Sequence, residues 1–113
     1  VNQSPPHVIF RSLHNDANAL VISNSNLSSL KLRDTFQNKI VLSTPNLSSL
    51  TIIQYLGSSC QPISSTCNLS CLEEGTIETT TNISYSVVIG WLQVLTNLKM
   101  LTLSYDTLMI ILR

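Results

Sequence analysis

Apolar and polar residues alternate in short runs along this chain. In Leu30-Lys31-Leu32 and Leu50-Thr51-Ile52 the period is two. That spacing puts the aliphatic side chains on one side of an extended strand and the intervening residues on the other. Val87, Val88, Trp91, Leu92 and Leu95 instead share one stripe, which predicts a helix over residues 84 to 95. Ser84 or Ser86 can cap its start, and Gly90 costs it about 1 kcal/mol relative to Ala. Trp91 on that stripe reads as a core anchor. Ile40-Val41-Leu42 is a short apolar run that ends at Thr44-Pro45, where proline stops any helix. Residues 53 to 67 are serine-rich, contain Gly57 and Pro62, and read as irregular loop.

The alternating runs belong to a repeat. Asn26-Leu27-Ser28-Ser29-Leu30-Lys31-Leu32 recurs as Asn46-Leu47-Ser48-Ser49-Leu50-Thr51-Ile52. A third copy begins Asn68-Leu69-Ser70-Cys71-Leu72, and a fourth reads Asn97-Leu98-Lys99-Met100-Leu101-Thr102-Leu103. The asparagines lie 20, 22 and 29 residues apart, at or inside the leucine-rich-repeat range of about 20 to 29. The first Leu of each unit enters the core from the turn before the strand, and Asn suits that turn by bonding local backbone. One such unit cannot close a core, whereas neighbours stacked in parallel share one.

The expected fold is therefore α/β, a leucine-rich repeat solenoid forming a short horseshoe-like arc of parallel strands with irregular or helical return segments. Residues 24–113 form about four irregular repeats, and residues 1–23 an N-terminal extension or partial repeat. In that extension Pro5-Pro6 marks an extended start, and Ala19-Leu20-Val21-Ile22 a return segment or capping strand. The third unit breaks the pattern: alternation from Leu72 would drive Glu74 inward, and alternation back from Ile77 would drive Gly75 and Glu73 inward, either at high cost for an unpaired carboxylate. A bulge at Glu73-Glu74-Gly75 that resets the register is the expected remedy. The closing run Leu108-Met109-Ile110-Ile111-Leu112-Arg113 reads as the start of another unit with nothing stacked on it. This predicts marginal stability or self-association of the isolated chain.

Composition narrows the functions. Six Lys+Arg against six Asp+Glu give a net charge of zero, so no long-range field favours a phosphate backbone and no nucleic acid partner is expected. Leucine occurs 18 times and Ser plus Thr make 28 of 113 residues; such leucine content excludes disorder. The longest apolar stretch, Val87 to Leu95, is broken by Gly90 and Gln93 and falls far short of the roughly 20 residues of a membrane span. Starting at Val1 rather than Met, the chain is expected to be processed or part of something longer. Cys60, Cys67 and Cys71 follow no metal spacing, with His7 and His14 far away in sequence, and read as buried small thiols in a reducing cell. Neither a Gly-rich phosphate loop nor a nucleophile with an adjacent His occurs, and Glu73-Glu74 reads as a solvated pair. No enzyme activity, catalytic residue, metal or cofactor is expected.

The run from Asn24 to Leu112 also carries a family likeness. Its stretches are Leu30-Lys31-Leu32, Ser43 to Ile52, Cys67 to Ile77 and Leu95 to Ser104. In this order they resemble the leucine-rich region of plant F-box/LRR proteins, including those with a C-terminal FBD domain, over about four fifths of the chain. The resemblance implies recruitment: in the family the F-box binds a Skp-type adaptor of a cullin ubiquitin ligase, and the repeat region captures the substrate. Residues 1–23 do not read as an F-box-like Leu-Pro-rich segment, and neither an F-box nor an FBD domain is expected within residues 1–113. The resemblance thus implies only the substrate-recognition half, expected of a truncated member that is a fragment or remnant, cytoplasmic or nuclear, in which the absence of an F-box puts Skp-type adaptor binding in doubt.

Alternation names the candidate partner-binding face: Ser29, Lys31 and Arg33, then Ser49, Thr51 and Ile53, then Met100, Thr102 and Ser104. Lys31 and Arg33 are the close basic pair. They can anchor an acidic side chain of a protein partner or simply keep an exposed strand soluble. A second functional class is a fragment of an extracellular, glycosylated repeat receptor. It draws on Asn-x-Ser sequons at Asn2, Asn26, Asn46, Asn68 and Asn82. The repeat template already accounts for three of these, and the Leu-x-Gly-x-Ile-Pro continuation of plant receptor repeats is missing.

Overall fold

The computed structural model describes residues 7–10, 19–36, 39–56, 60, 61, 63 and 67–113; Pro5-Pro6, His14, Gly57, Pro62 and the Asn2 sequon lie outside them. The elements are β1 (His7–Phe10), β2 (Ala19–Ser23), β3 (Ser29–Arg33), β4 (Lys39–Ser43), β5 (Ser49–Gln54), β6 (Glu74–Thr79), α1 (Tyr85–Val94), β7 (Met100–Leu103) and α2 (Tyr105–Leu112). The fold is mixed α/β, with parallel strands in two sheets, two helices and no closed barrel among the described residues. The larger sheet runs β1-β3-β5-β6-β7 and the smaller pairs β2 with β4. No helix of the described residues is long and apolar enough to cross a membrane.

The chain visits the two layers alternately. Strands of the large sheet are followed by β2, by β4, by Asn68 bridged to Ser43 of β4, then by α1 and α2. Strand alternation fills the space between the layers. Leu30 and Leu32 from β3, Leu50 and Ile52 from β5, and Ile77 from β6 meet Ile22, Ile40 and Leu42 from the small sheet. Burial of this apolar surface is the main force holding the layers together. The sequence run Ile40-Val41-Leu42 is thus a strand.

The third unit departs from the expected frame. Its register runs unbroken from Glu74↔Ser49 to Thr79↔Gln54, with no bulge. Asn68 does not stand in the place of Asn46; it bridges Ser43, one layer away. The strand begins only at Glu74, so Leu72 fills the turn position that Leu27 and Leu47 fill, and Glu73 and Glu74 stay in solvent. Counted in this frame, Leu27, Leu47, Leu72 and Leu98 lie 20, 25 and 26 residues apart. Gly75 then takes the inward position held elsewhere by Leu30 and Leu50. A Cβ there would lie 2.8 Å from Leu98 Cδ1, so the next unit's leucine fills the space.

Each unit is fastened to the next at the turn before its strand. The Ser28 carbonyl accepts Ser48 and Ser49 N–H at 2.9 and 3.1 Å, the Ser48 carbonyl accepts Glu73 and Glu74 at 2.9 and 3.0 Å, and the Glu73 carbonyl accepts Lys99 and Met100 at 2.8 and 3.1 Å. Asn46 also works between units, its Nδ2 donating to the Ser25 carbonyl at 2.7 Å. The local turn bond expected of such an asparagine is made by Asn68, which accepts Ser70 N–H at 3.4 Å, and in the first unit by Asn24, which accepts Asn26 N–H at 2.8 Å.

The predicted helix is α1. Ser84 caps it by accepting Val87 N–H at 3.4 Å, and Val87, Val88 and Trp91 are buried. Trp91 lies wholly inside, its ring centroid 5.0 Å from that of Phe36 and tilted by 53°. Its indole N–H donates to the Gln61 carbonyl at 3.3 Å, so its one polar atom is satisfied. The apolar C-terminal run forms α2, capped by Ser104. Thr107 ties it to β6: its hydroxyl accepts Thr79 N–H at 3.0 Å and lies 2.9 Å from Thr79 Oγ1.

Candidate partner-binding face

The register of the large sheet turns its outer surface into three rows. Ser29, Ser49, Glu74 and Met100 form the first, and Lys31, Thr51, Thr76 and Thr102 the second. The third holds Arg33, Ile53 and Glu78. The structure therefore brings Ser29, Lys31, Arg33, Ser49, Thr51, Ile53, Met100 and Thr102 together on one face. Ser104 leaves it. It follows β7 and caps α2, its hydroxyl accepting Thr107 and Thr79 N–H at 3.3 Å each. Strand alternation fails there because the strand has ended.

The same rows add residues that sequence reasoning missed. Glu74, Thr76 and Glu78 come from β6, hidden by the wrong frame. Alternation outward from Ile77 was the available signal. Tyr55, directly after β5, is the other addition. Arg33 Cζ lies 5.8 Å from its ring centroid, within cation–π range. The Tyr55 hydroxyl donates to Glu78 Oε2. That hydrogen bond to the carboxylate pushes the Tyr55 hydroxyl above its ordinary pKa, with partial desolvation and the Glu78 charge acting the same way.

Backbone contacts fix this corner. Asp34 sits in the left-handed region at φ 54°, which Asp tolerates better than most residues. Its Oδ1 accepts Tyr55 N–H at 2.8 Å and Leu56 N–H at 3.3 Å. Gln54, fully buried beside it, accepts Phe36 N–H at 3.3 Å and donates to the Leu56 carbonyl at 2.6 Å. The chain leaving β5 is thus held from both sides, and Tyr55 is aimed across the outer face.

The ion pair found among the described residues is Lys99–Glu73 at 3.6 Å, exposed on both sides and worth about 0–1 kcal/mol. The three cysteines are free. Cys67 and Cys60 are half-buried, and desolvation raises both thiol pKa values. Cys67 Sγ accepts Leu42 N–H at 3.1 Å. Cys71 is exposed, against the buried placement expected of it. Surface cavities of about 330 and 270 Å³ lie on the return layer, the larger between the α1 N-terminus and Ile110 of α2, the smaller between Cys67 and Asn97, away from the strand face.

Compared with models of known families, with curated proteins and with solved structures, the chain matches none of them.

Proposed function

We propose that the chain is a leucine-rich-repeat-type solenoid that binds a protein partner through the outer face of its five-stranded sheet. In this reading it resembles the substrate-recognition region of a plant F-box ubiquitin-ligase subunit and acts in the cytoplasm or nucleus without catalysing a reaction. The observation that supports it is the register. Strands from units 20 to 26 residues apart present matching outward positions as one surface, with Ser and Thr set among a basic column on β3 and an acidic column on β6. Three free thiols suit a reducing compartment.

The test is affinity capture with quantitative mass spectrometry, comparing wild type, the Lys31→Ala/Arg33→Ala double variant, Thr51→Trp in the middle row, and Val21→Ser on the return layer. A partner kept by wild type and Val21→Ser, and depleted about tenfold by the two strand-face variants, carries the reading. Equal capture by all four discards it.

One observation favours a second reading. Asn26, Asn46, Asn68 and Asn82, each in a sequon, are all exposed, as glycosylated asparagines of an extracellular repeat protein must be. An unshifted gel band after glycosidase treatment of the chain from its native source rejects that reading.

A further inference from the structure

The zero net charge conceals a division on the strand face. Among the described side chains of β3, β5, β6 and β7, the basic Lys31 and Arg33 stand on β3 and the acidic Glu74 and Glu78 on β6. Between them runs β5 with the uncharged Ser49, Thr51 and Ile53. β3 and β6 each pair with β5, so the two charge columns are two strand spacings, about 10 Å, apart. At that separation they do not neutralise one another directly, and none of the four joins the ion pair seen among the described residues. Tyr55, two residues beyond Ile53, reaches both columns from just past the third row. Its ring faces the Arg33 guanidinium and its hydroxyl holds Glu78. Both charged groups are thereby braced while the columns stay apart. The Asp34 carboxylate, close by, accepts two backbone N–H groups. Lys99 and Glu73 answer each other at the turns.

We propose that this face recognises a protein segment carrying one acidic and one basic side chain about 10 Å apart, the acid over Lys31 and Arg33 and the base over Glu74 and Glu78. The inference rests on the strand-face reading above and specifies the chemistry of its partner. The spacing corresponds to two turns of an α-helix, residues i and i+7 at about 10.5 Å, with a small apolar residue midway over Ile53 and Tyr55. A second copy of the chain is the weaker occupant. Homodimer interfaces are rich in apolar surface, whereas this face sets Ile53, Tyr55 and Met100 among Ser29, Ser49, Thr51, Thr76, Thr102 and four charged side chains.

The test uses three fluorescent, alanine-based helical peptides differing only at two positions seven residues apart: Glu with Arg, Glu with Glu, and Arg with Arg. Their binding to the full chain is followed by anisotropy at low salt. The Glu–Arg peptide should bind wild type roughly three- to fivefold tighter than either other peptide. The K31E/R33E variant should prefer Arg–Arg, and E74K/E78K should prefer Glu–Glu. All preferences should shrink at about 0.5 M salt. Equal affinities, no binding of any peptide, or preferences unmoved by the reversals overturn the proposal. It is equally overturned if K31E/R33E and E74K/E78K proteins associate with each other but not with themselves, which assigns the face to a second copy. A captured partner lost with Thr51→Trp yet indifferent to the charge reversals sinks this inference alone. Indifference to Thr51→Trp sinks the strand-face reading as well.

Discussion

The units built on β3 and β5 and those built on β6 and β7 share one register but fill it differently. In the first two, leucine occupies the inward position, and β3 is followed by the strand return β4; Leu30 and Leu50 are 1% exposed. In the last two the inward residues are Gly75 and Leu101, and the returns are helices. Leu101 is 42% exposed although it points the same way as Leu50, because β7 is the edge of the sheet. The contrast teaches that in a stack a residue's burial is set by its neighbour's presence more than by its own identity.

The largest effect should come from the joint between the two halves. Trp91 belongs to a helical return and packs on Phe36 from the strand half. Trp91→Ala should cost about 3–5 kcal/mol in urea unfolding, since it opens a large cavity in a close-packed interior. A loss below roughly 1 kcal/mol would show that the halves do not depend on each other.

Matched truncations come next in size. Leu50→Ala should cost about 2–5 kcal/mol, whereas Leu101→Ala, already in partial contact with water, should cost less than about 1 kcal/mol. Equal costs in the same unfolding assay would break the edge-against-interior comparison.

The smallest effect is alkaline. Desolvation raises the Cys67 thiol above its ordinary pKa of 9.0. The folded state then holds that proton more tightly than the unfolded state. The linked stability is fully present below the unfolded pKa and is lost as pH rises through the folded one. Urea midpoints should therefore fall above about pH 9, and less steeply in Cys67→Ala. An identical slope in the variant would exclude Cys67 as a contributor.

Much of this fold could be read from local pattern. Leu30-Lys31-Leu32 and Leu50-Thr51-Ile52 alternate as strands must, and the Val87 to Leu95 stripe is a helix because its apolar spacing allows little else. The third unit was misread because Asn68-Leu69 imitates Asn46-Leu47, while the physics of the strand lies in the alternation Gly75, Ile77, Thr79. That frame hid Glu74, Thr76 and Glu78, the β6 share of the strand face. Lys31 and Arg33 are visible as sequence neighbours. Their relation to Tyr55 and Glu78 exists only through a register joining residues 22 and 45 positions apart. Ser104 shows the opposite limit, since a strand pattern says nothing about where a helix cap takes over.

The paired N–H bonds at Ser28, Ser48 and Glu73 carry a consequence for how such a chain can grow. Each fixes the start of one strand against the start of the next and asks nothing of the path between them, which is why spacings of 20, 25 and 26 residues yield one continuous ladder. Doubling a flexible connection adds only about 0.6 kcal/mol of closure entropy. The return layer is thus open to grafted or inserted sequence, and new segments can be acquired there while the geometry of the opposite surface is inherited unchanged.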